Sequence, residues 1–373
     1  MDKEFEILLY GASSFTADFI IPYFENLSVN VGLAARNIQN IRGTNLPKIQ
    51  CTLVEAALKT QILINCVGPY HLTGEECIKS CLNNNTHYID ICGEVNFIRY
   101  IYDKYNNEAA RKKLFIIQAC GFNSLIADMG TDLLRQCYDR DVEIKSILEV
   151  KNCTINFGSW QSLLDSLETF NNSKKIKDKY IKSKKTPEYM YDTSLKSYIV
   201  KFQSSDYYIV SLTQKLLKSC NMLTCNYIAY VKVDNIFLYF LYLFLITTFC
   251  KFKLGKKLLL RFYKFFSKNF VEKSLPIDKI KKGSFKITFE SVGMKNVEYI
   301  SKNLVISGPD PYTTTGICVS QSALVLKEMI FKRNMGDNVC NFPGGVLTPG
   351  FVFRNTKLPE NIESLGISIN LLQ

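Results

Sequence analysis

Only two histidines, His71 and His87, and one tryptophan, Trp160, occur in the chain. Neither histidine has a ligand partner at metal-site spacing, so no Cys/His metal centre is expected. The 13 cysteines are scattered and include no Cys-x-x-Cys pair, which removes the zinc-ribbon and dithiol redox patterns. No Ser-His-Asp set, P-loop or paired metal carboxylates is discernible, and Met1-Asp2-Lys3-Glu4 leads directly into an apolar stretch with no signal peptide. Reduced thiols in an intracellular setting are therefore expected. The uncharged apolar run Ile236–Cys250 is too short to cross a ~30 Å hydrocarbon layer as a helix rising about 1.5 Å per residue. What is present is a chain of 373 residues, 47% apolar, with a net charge of +12. That length and composition suit a large core and two domains. No nucleic-acid recognition motif accompanies the positive charge, and the Lys-rich stretch Asn172–Pro187 is not interleaved with aromatics. A solvated loop is expected there, and no nucleic-acid partner.

The chain is organised around its start. Phe5–Tyr10 reads as a buried parallel strand, and Ala17–Phe24 continues with apolar positions at helical spacing. The turn between them, Gly11 with Ser13, Ser14, Phe15 and Thr16, presents backbone N–H groups at a strand end, where dinucleotide folds bind pyrophosphate. The three positions that are glycines in the usual fingerprint are Gly11, Ser14 and Ala17 here. A plain strand–turn–helix connection is the other reading. A second strand, Asn30–Ala35, ends in Arg36. An acid at that distance suits the ribose 2′-OH of NAD, whereas an arginine suits the 2′-phosphate of NADP. Arg36 thus favours NADP, with NAD as the alternative and a solvent-facing loop arginine as the unspecific one. Further strands are expected at Lys48–Leu53, Gln61–Val67, Tyr88–Glu94 and Leu114–Cys120, with a helix at Thr73–Leu82. Their exits carry Gly68-Pro69-Tyr70-His71, Gly93-Glu94 and Gly121-Phe122-Asn123-Ser124. Strand and helix alternate as in a doubly wound α/β fold.

The runs YGASSFTADFI, ILINCVGPYHLTGEECIKSCL, YIDICGE, QACGFNSLIADMGTDLL and GGVLTPGFVF, in this order and spacing, resemble the saccharopine dehydrogenase-like oxidoreductases. The likeness covers nearly the whole chain and is strongest from Ile62 to Leu134. It implies a Rossmann-type doubly wound parallel sheet binding NAD(P) in residues 1–135, an inserted α+β second domain in 136–332, and a C-terminal segment, 333–373, returning to the first domain. It also implies association with a membrane or lipid droplet and, by similarity to bacterial relatives, reduction of a lipid-linked substrate; a homodimer is left open. Gly68, Pro69, Tyr70, Asp90, Gly93 and Glu94 match the family and line the nicotinamide side of the implied fold. The first turn departs from the family's G-x-x-G-x-x-G by keeping Gly11 alone, and G-F-D-S-I-P-A-D becomes Gly121–Asp128 without its first acid and its proline.

For chemistry, the strand-end candidates are Tyr70 as proton donor, and Asp90 and Glu94 as groups that orient substrate or relay protons; Asp128 is a fourth. Each has a bland alternative: packing for Tyr70, loop capping for Asp90, solvation for Glu94. His71 and His87 match no motif position and are expected at the surface. Strands are expected at Glu143–Val150, Tyr227–Val233, Phe285–Val292 and Asn303–Ser307, and Trp160 is either a core residue or a cleft residue. After the apolar run, helical spacing over Lys251–Lys268 puts Lys253, Lys256, Lys257, Arg261, Lys264 and Lys268 on one face. Leu254, Leu258, Leu259, Phe262, Phe265 and Phe266 fall on the other. That is the pattern of an interfacial helix with no acid of its own. Residues 236–268 are thus expected to be a monotopic membrane element, the competing reading being a buried core helix. The reading as a whole is an NADPH-linked reductase at a lipid surface, against a non-catalytic lipid-associated protein with an eroded cofactor site.

Overall fold

The computed structural model describes residues 3–172, 186–202, 204–273, 276–336 and 344–372. Most of the Lys-rich stretch Asn172–Pro187 lies outside them. The first half alternates strand and helix: β1 (Phe5–Tyr10), α1 (Ala17–Ile20), β2 (Val31–Ala35), β3 (Lys48–Gln50), α2 (Leu53–Lys59), β4 (Thr60–Asn65), α3 (Tyr70–Asn83), β5 (His87–Asp90), α4 (Val95–Arg111), β6 (Phe115–Ile117) and α5 (Phe122–Arg135). The second half follows with β7 (Arg140–Lys151), β8 (Ile155–Asn156), α6 (Phe157–Asn172), β9 (Tyr189–Asp192), β10 (Ser197–Lys201), α7 (Ser205–Ser219), β11 (Cys225–Val233), α8 (Ile236–Cys250), α9 (Lys253–Arg261), α10 (Tyr263–Phe266), β12 (Val271–Glu272), α11 (Ile277–Ile280), β13 (Ser284–Lys295), β14 (Glu298–Pro309) and α12 (Pro311–Asn334). The chain closes with β15 (Gly345–Leu347), α13 (Pro349–Val352), α14 (Leu358–Ser364) and β16 (Ser368–Leu372).

The first sheet has seven strands in the order β15-β6-β5-β4-β1-β2-β3, every pair parallel. Strands covered on both faces are apolar through their buried length, which is why Ile7–Tyr10 and Ile62–Ile64 read as unbroken apolar runs, with Glu6 only partly buried at the start of β1. Strand order reverses between β1 and β4, so the crevice for a ligand lies beyond their carboxyl ends. The second sheet, β16-β14-β13-β7-β11-β10-β9, is mixed. Its Phe285, Ile287 and Phe289 are buried on one face while Lys286 and Glu290 alternate onto the other, the period-2 signature of a sheet with one covered side. β15 and β16 carry the C-terminal residues into the first and the second sheet respectively.

Local chemistry explains where elements depart from the periodicity. β3 stops at Gln50 because Thr52 and Glu55 form a reciprocal capping box that starts α2. The first helix is one α-turn followed by a 3₁₀ turn, Ile21–Tyr23, with Pro22 inside it, not the continuous helix expected to Phe24. α12 lies directly across it: a Cβ on Gly316 would sit 2.0 Å from the Phe19 carbonyl oxygen. Gly316→Ala is therefore expected to push the helices apart and lower stability by about 1–3 kcal/mol, read as a lower urea midpoint. An unchanged midpoint would mean that α12 can move away from Phe19 freely.

Three other expectations are corrected. His87 is buried: its ring stacks on Phe115 with centroids 5.4 Å apart, and its Nδ1 accepts the Phe115 N–H at 3.0 Å. Burial, with Arg333 nearby, holds its pKa down to about 3. Residues Lys251–Lys268 do not form one helix, because the chain breaks at Phe262 into α9 and α10. Leu259 of the expected lipid face is fully buried beside Trp160, Leu164 and Ile246, which puts Trp160 in a core. Lys256 also has an acid opposite after all: Asp165 of α6 lies 2.5 Å away. The core alternative for α8 fails as well. Phe237 and Phe244 are 73% and 66% exposed, and only Ile246 and Cys250 of this helix are buried.

Candidate functional site

The crevice is built from the exits of β1, β4 and β5. Gly11 takes φ +82°, and a Cβ there would meet Val67 Cγ2 at 2.6 Å, so glycine is required by the neighbouring loop and by the turn itself. Ala12 donates its N–H to Ala34 O and Ser14 to Gly11 O. Ser14 Oγ folds back to accept the Ala17 N–H at 3.3 Å, so its side chain is directed at the helix start. The N–H groups of Ser13, Phe15 and Thr16 have no partner among the described residues. Phe15 packs edge-on against Tyr312 of α12, centroids 5.0 Å apart. Arg36, at the exit of β2, is exposed and makes no ion pair among the described residues. Three unsatisfied donors and a free guanidinium along one strand edge have the chemistry that a pyrophosphate and a ribose phosphate require.

The other side of the crevice is held by a buried polar network. Asn65 Oδ1 accepts the Val67 N–H at 3.0 Å, and its Nδ2 donates to the Tyr88 hydroxyl at 3.2 Å. Tyr88 in turn donates to Asp90 Oδ2 at 3.0 Å. Asp90 Oδ1 accepts N–H groups from Cys92 at 3.0 Å and Ala119 at 2.8 Å. The carboxyl is fully buried, and burial raises its pKa to about 6. Tyr70 is also buried, and its hydroxyl donates to the Asn65 carbonyl at 2.9 Å. Asp90 and Tyr70 therefore clamp the exits of β4, β5 and β6 to one another, and neither polar group is presented to the crevice.

Glu94 is different. Its carboxylate reaches back across the crevice to accept the N–H groups of Tyr70 at 2.7 Å and His71 at 3.0 Å, the first orphan donors of α3. That cap is why α3 begins at Tyr70, directly after the Gly68–Pro69 bond, three residues before the apolar pattern suggests. The same carboxylate lies 2.6 Å from His71 Nδ1. Gly68 and Gly93 flank this pair, and a Cβ on Gly93 would come within 3.9 Å of Ser205 Oγ. Ser204 and Ser205 open α7 across the crevice, where they hydrogen-bond Asn123 at 3.2 Å and Ser124 at 3.0 Å. These serines are legible in the sequence only as a helix start. Asp128 lies nearly two turns into α5, away from the crevice and fully buried.

Comparison with known proteins adds the lineage. The chain is 29% identical to the human saccharopine dehydrogenase-like oxidoreductase, over 99% of this chain and 98% of that one. Over its whole length the chain is similar to the saccharopine dehydrogenase-like oxidoreductases. It is also 24% identical to a lipid droplet localized protein of Caenorhabditis elegans, again over 99% and 98% of the two chains. Among solved structures, apo saccharopine dehydrogenase (L-Glu forming) from Saccharomyces cerevisiae superposes with a TM-score of 0.54 at 11% identity, covering 99% and 100% of the chains, which establishes the shared fold. No family model matches the chain. Within this family fold, the free amide turn after β1 and the clamped exits of β4 and β5 occupy the ligand edge of the sheet.

Proposed function

We propose that this saccharopine dehydrogenase-like protein is an NADPH-linked oxidoreductase acting on a lipid or lipid-linked substrate at the surface of a membrane or lipid droplet. The observation that carries the cofactor reading is the trio of unpartnered N–H groups at Ser13, Phe15 and Thr16. Gly11 and Ser14 shape that turn, and Arg36 receives the 2′-phosphate. Gly68, Pro69 and Gly93 border the nicotinamide end, where the cofactor, once bound, supplies hydride chemistry. Tyr70 and Asp90 act there as positioning residues that hold the loops, while Glu94 fixes the start of α3. The lipid reading rests on α8, whose apolar residues face solvent, beside exposed Lys251, Lys253, Lys257, Arg261, Lys264 and Lys268 with no ion pairs among the described residues. No helix among the described residues is long and apolar enough to cross a membrane, so attachment by this route is interfacial. The name of the nematode relative agrees with a lipid-droplet setting.

The expected result of calorimetric titration is tighter binding of NADPH than of NADH, with Arg36→Ala removing most of the preference. Loss of one charge-assisted contact corresponds to about 1.5–3 kcal/mol, roughly ten- to a hundredfold in affinity. Equal affinities in the wild type would overturn the role of Arg36. One observation favours the non-catalytic reading: α1 is a single α-turn, so little helix dipole backs the phosphate position. Saturation by neither nucleotide is the result that would select it.

A further inference from the structure

We infer that His71 is the proton donor and acceptor of the crevice, held in one orientation by Glu94. The inference rests on the cofactor reading and names a residue for it that the family motifs do not. A reductase of this kind needs one group that exchanges a proton beside the hydride acceptor. Of the titratable groups at the exits of β4 and β5, Cys66 and Cys92 are buried thiols whose pKa values that burial pushes up, Tyr70 has its hydroxyl bound to Asn65 O, and Asp90 has no exposed surface. Glu94 is occupied by two N–H groups and the imidazole, and its side chain is 11% exposed against 42% for His71. The remaining group is His71. With Nδ1 2.6 Å from Glu94 Oε2, Nδ1 carries the proton in the neutral ring, and the Nε2 lone pair is left for another partner. The His71 N–H bond to the same carboxylate holds the backbone as well, so the ring is anchored at two points.

The charged groups around it are few. Glu94 comes from the loop after β5. One turn along α3, Glu75 is committed to Lys104 at 2.8 Å, Tyr105 at 2.6 Å and Lys79 at 3.3 Å. In the reductive direction the hydride, with its electron pair, comes from a dihydronicotinamide. His71 gives the accompanying proton from Nε2 to the atom on which negative charge develops, and the neutral imidazole is reprotonated from solvent. The reverse direction returns both.

The two-histidine composition makes the test direct, because His87 is buried and its titration lies far below neutrality. In protein labelled at histidine with ¹³C and ¹⁵N, the exposed His71 ring and the buried His87 ring give two separately assignable signals. The probes are NADP+ and NADPH, with calorimetry alongside. Both should move the His71 signal and leave His87 unmoved, and NADP+ should disfavour the imidazolium form of His71 relative to NADPH, since the oxidised nicotinamide ring carries a like charge. Accordingly, the NADP+/NADPH affinity ratio should rise with pH in the wild type and be flat in His71→Gln. Glu94→Gln should let the second tautomer appear in the ¹⁵N spectrum. Binding by calorimetry with no movement of the His71 signal would overturn the inference. Absence of binding would overturn it together with the cofactor reading, and the calorimeter separates the two cases.

Discussion

Replacing Phe237, Leu241 and Phe244 by serine is expected to take the protein off anionic lipid vesicles, lowering apparent affinity by about a hundredfold or more, with the urea midpoint unchanged. The three residues stand at i, i+4 and i+7, on one face of α8, and are 73%, 44% and 66% exposed. Full burial of such a side chain stabilises by about 1.5–3 kcal/mol, so partial burial in a lipid interface gives roughly 1 kcal/mol each and about 3 for the set. Because they face away from the core around Trp160, Leu164 and Leu259, their removal leaves no cavity. Exposed lysines beside α8 add about 1 kcal/mol each against anionic headgroups, a contribution that salt screens. Flotation of the wild type should therefore weaken at high salt and persist longest with acidic lipid. A triple variant that floats like the wild type would show that α8 does not hold the lipid surface. Leu258 and Leu259 are unsuitable for this test, since Leu258 is half-buried and Leu259 fully buried, and changing them would damage the fold.

The second large effect is on stability against pH, through Asp128. Its Oδ2 accepts Thr213 Oγ1 at 2.8 Å and the Gly350 N–H at 2.7 Å, while Oδ1 has no partner among the described residues. Burial, the first cause, raises its pKa from 3.8 to about 8, with Asp132 adding to the rise. The folded-state value lies above the unfolded one, so the fold binds the proton more tightly. Its stabilising contribution is complete below about pH 4 and is lost as the pH rises through about 8. The slope in that window is at most about 1.4 kcal/mol per pH unit. Asp128→Asn keeps an acceptor for Thr213 and Gly350 and removes the titration. Relative to the wild type it should gain stability progressively from pH 4 to 8, measured as the difference in urea midpoints. Asp90 and Asp206, both raised to about 6 by burial, titrate in both proteins and cancel in that difference. Parallel pH curves would mean that Asp128 is charged in the fold throughout.

Much of the architecture was decided by local chemistry. Apolar strand runs such as Ile7–Tyr10 and Ile62–Ile64, each followed by small residues and a helical period, point to a parallel sheet covered on both faces, because both faces of such a strand are buried. The order of motifs along the chain likewise carried the family resemblance, and Gly11 determined the turn after β1, since φ +82° excludes most side chains. Side-chain roles were decided by tertiary contacts. Tyr70, Asp90 and Glu94 stand at equivalent strand exits, yet the fold turns the first two inward and brings the third across to cap α3, depending on which backbone donors lie within reach. His71 and His87 look alike in sequence; one meets Glu94 at the crevice and the other Phe115 in the core. The apolar run Ile236–Cys250 likewise has the same composition whether buried or exposed, and only the packing of α6 and α9 against one edge of α8 left the rest of that helix facing outward.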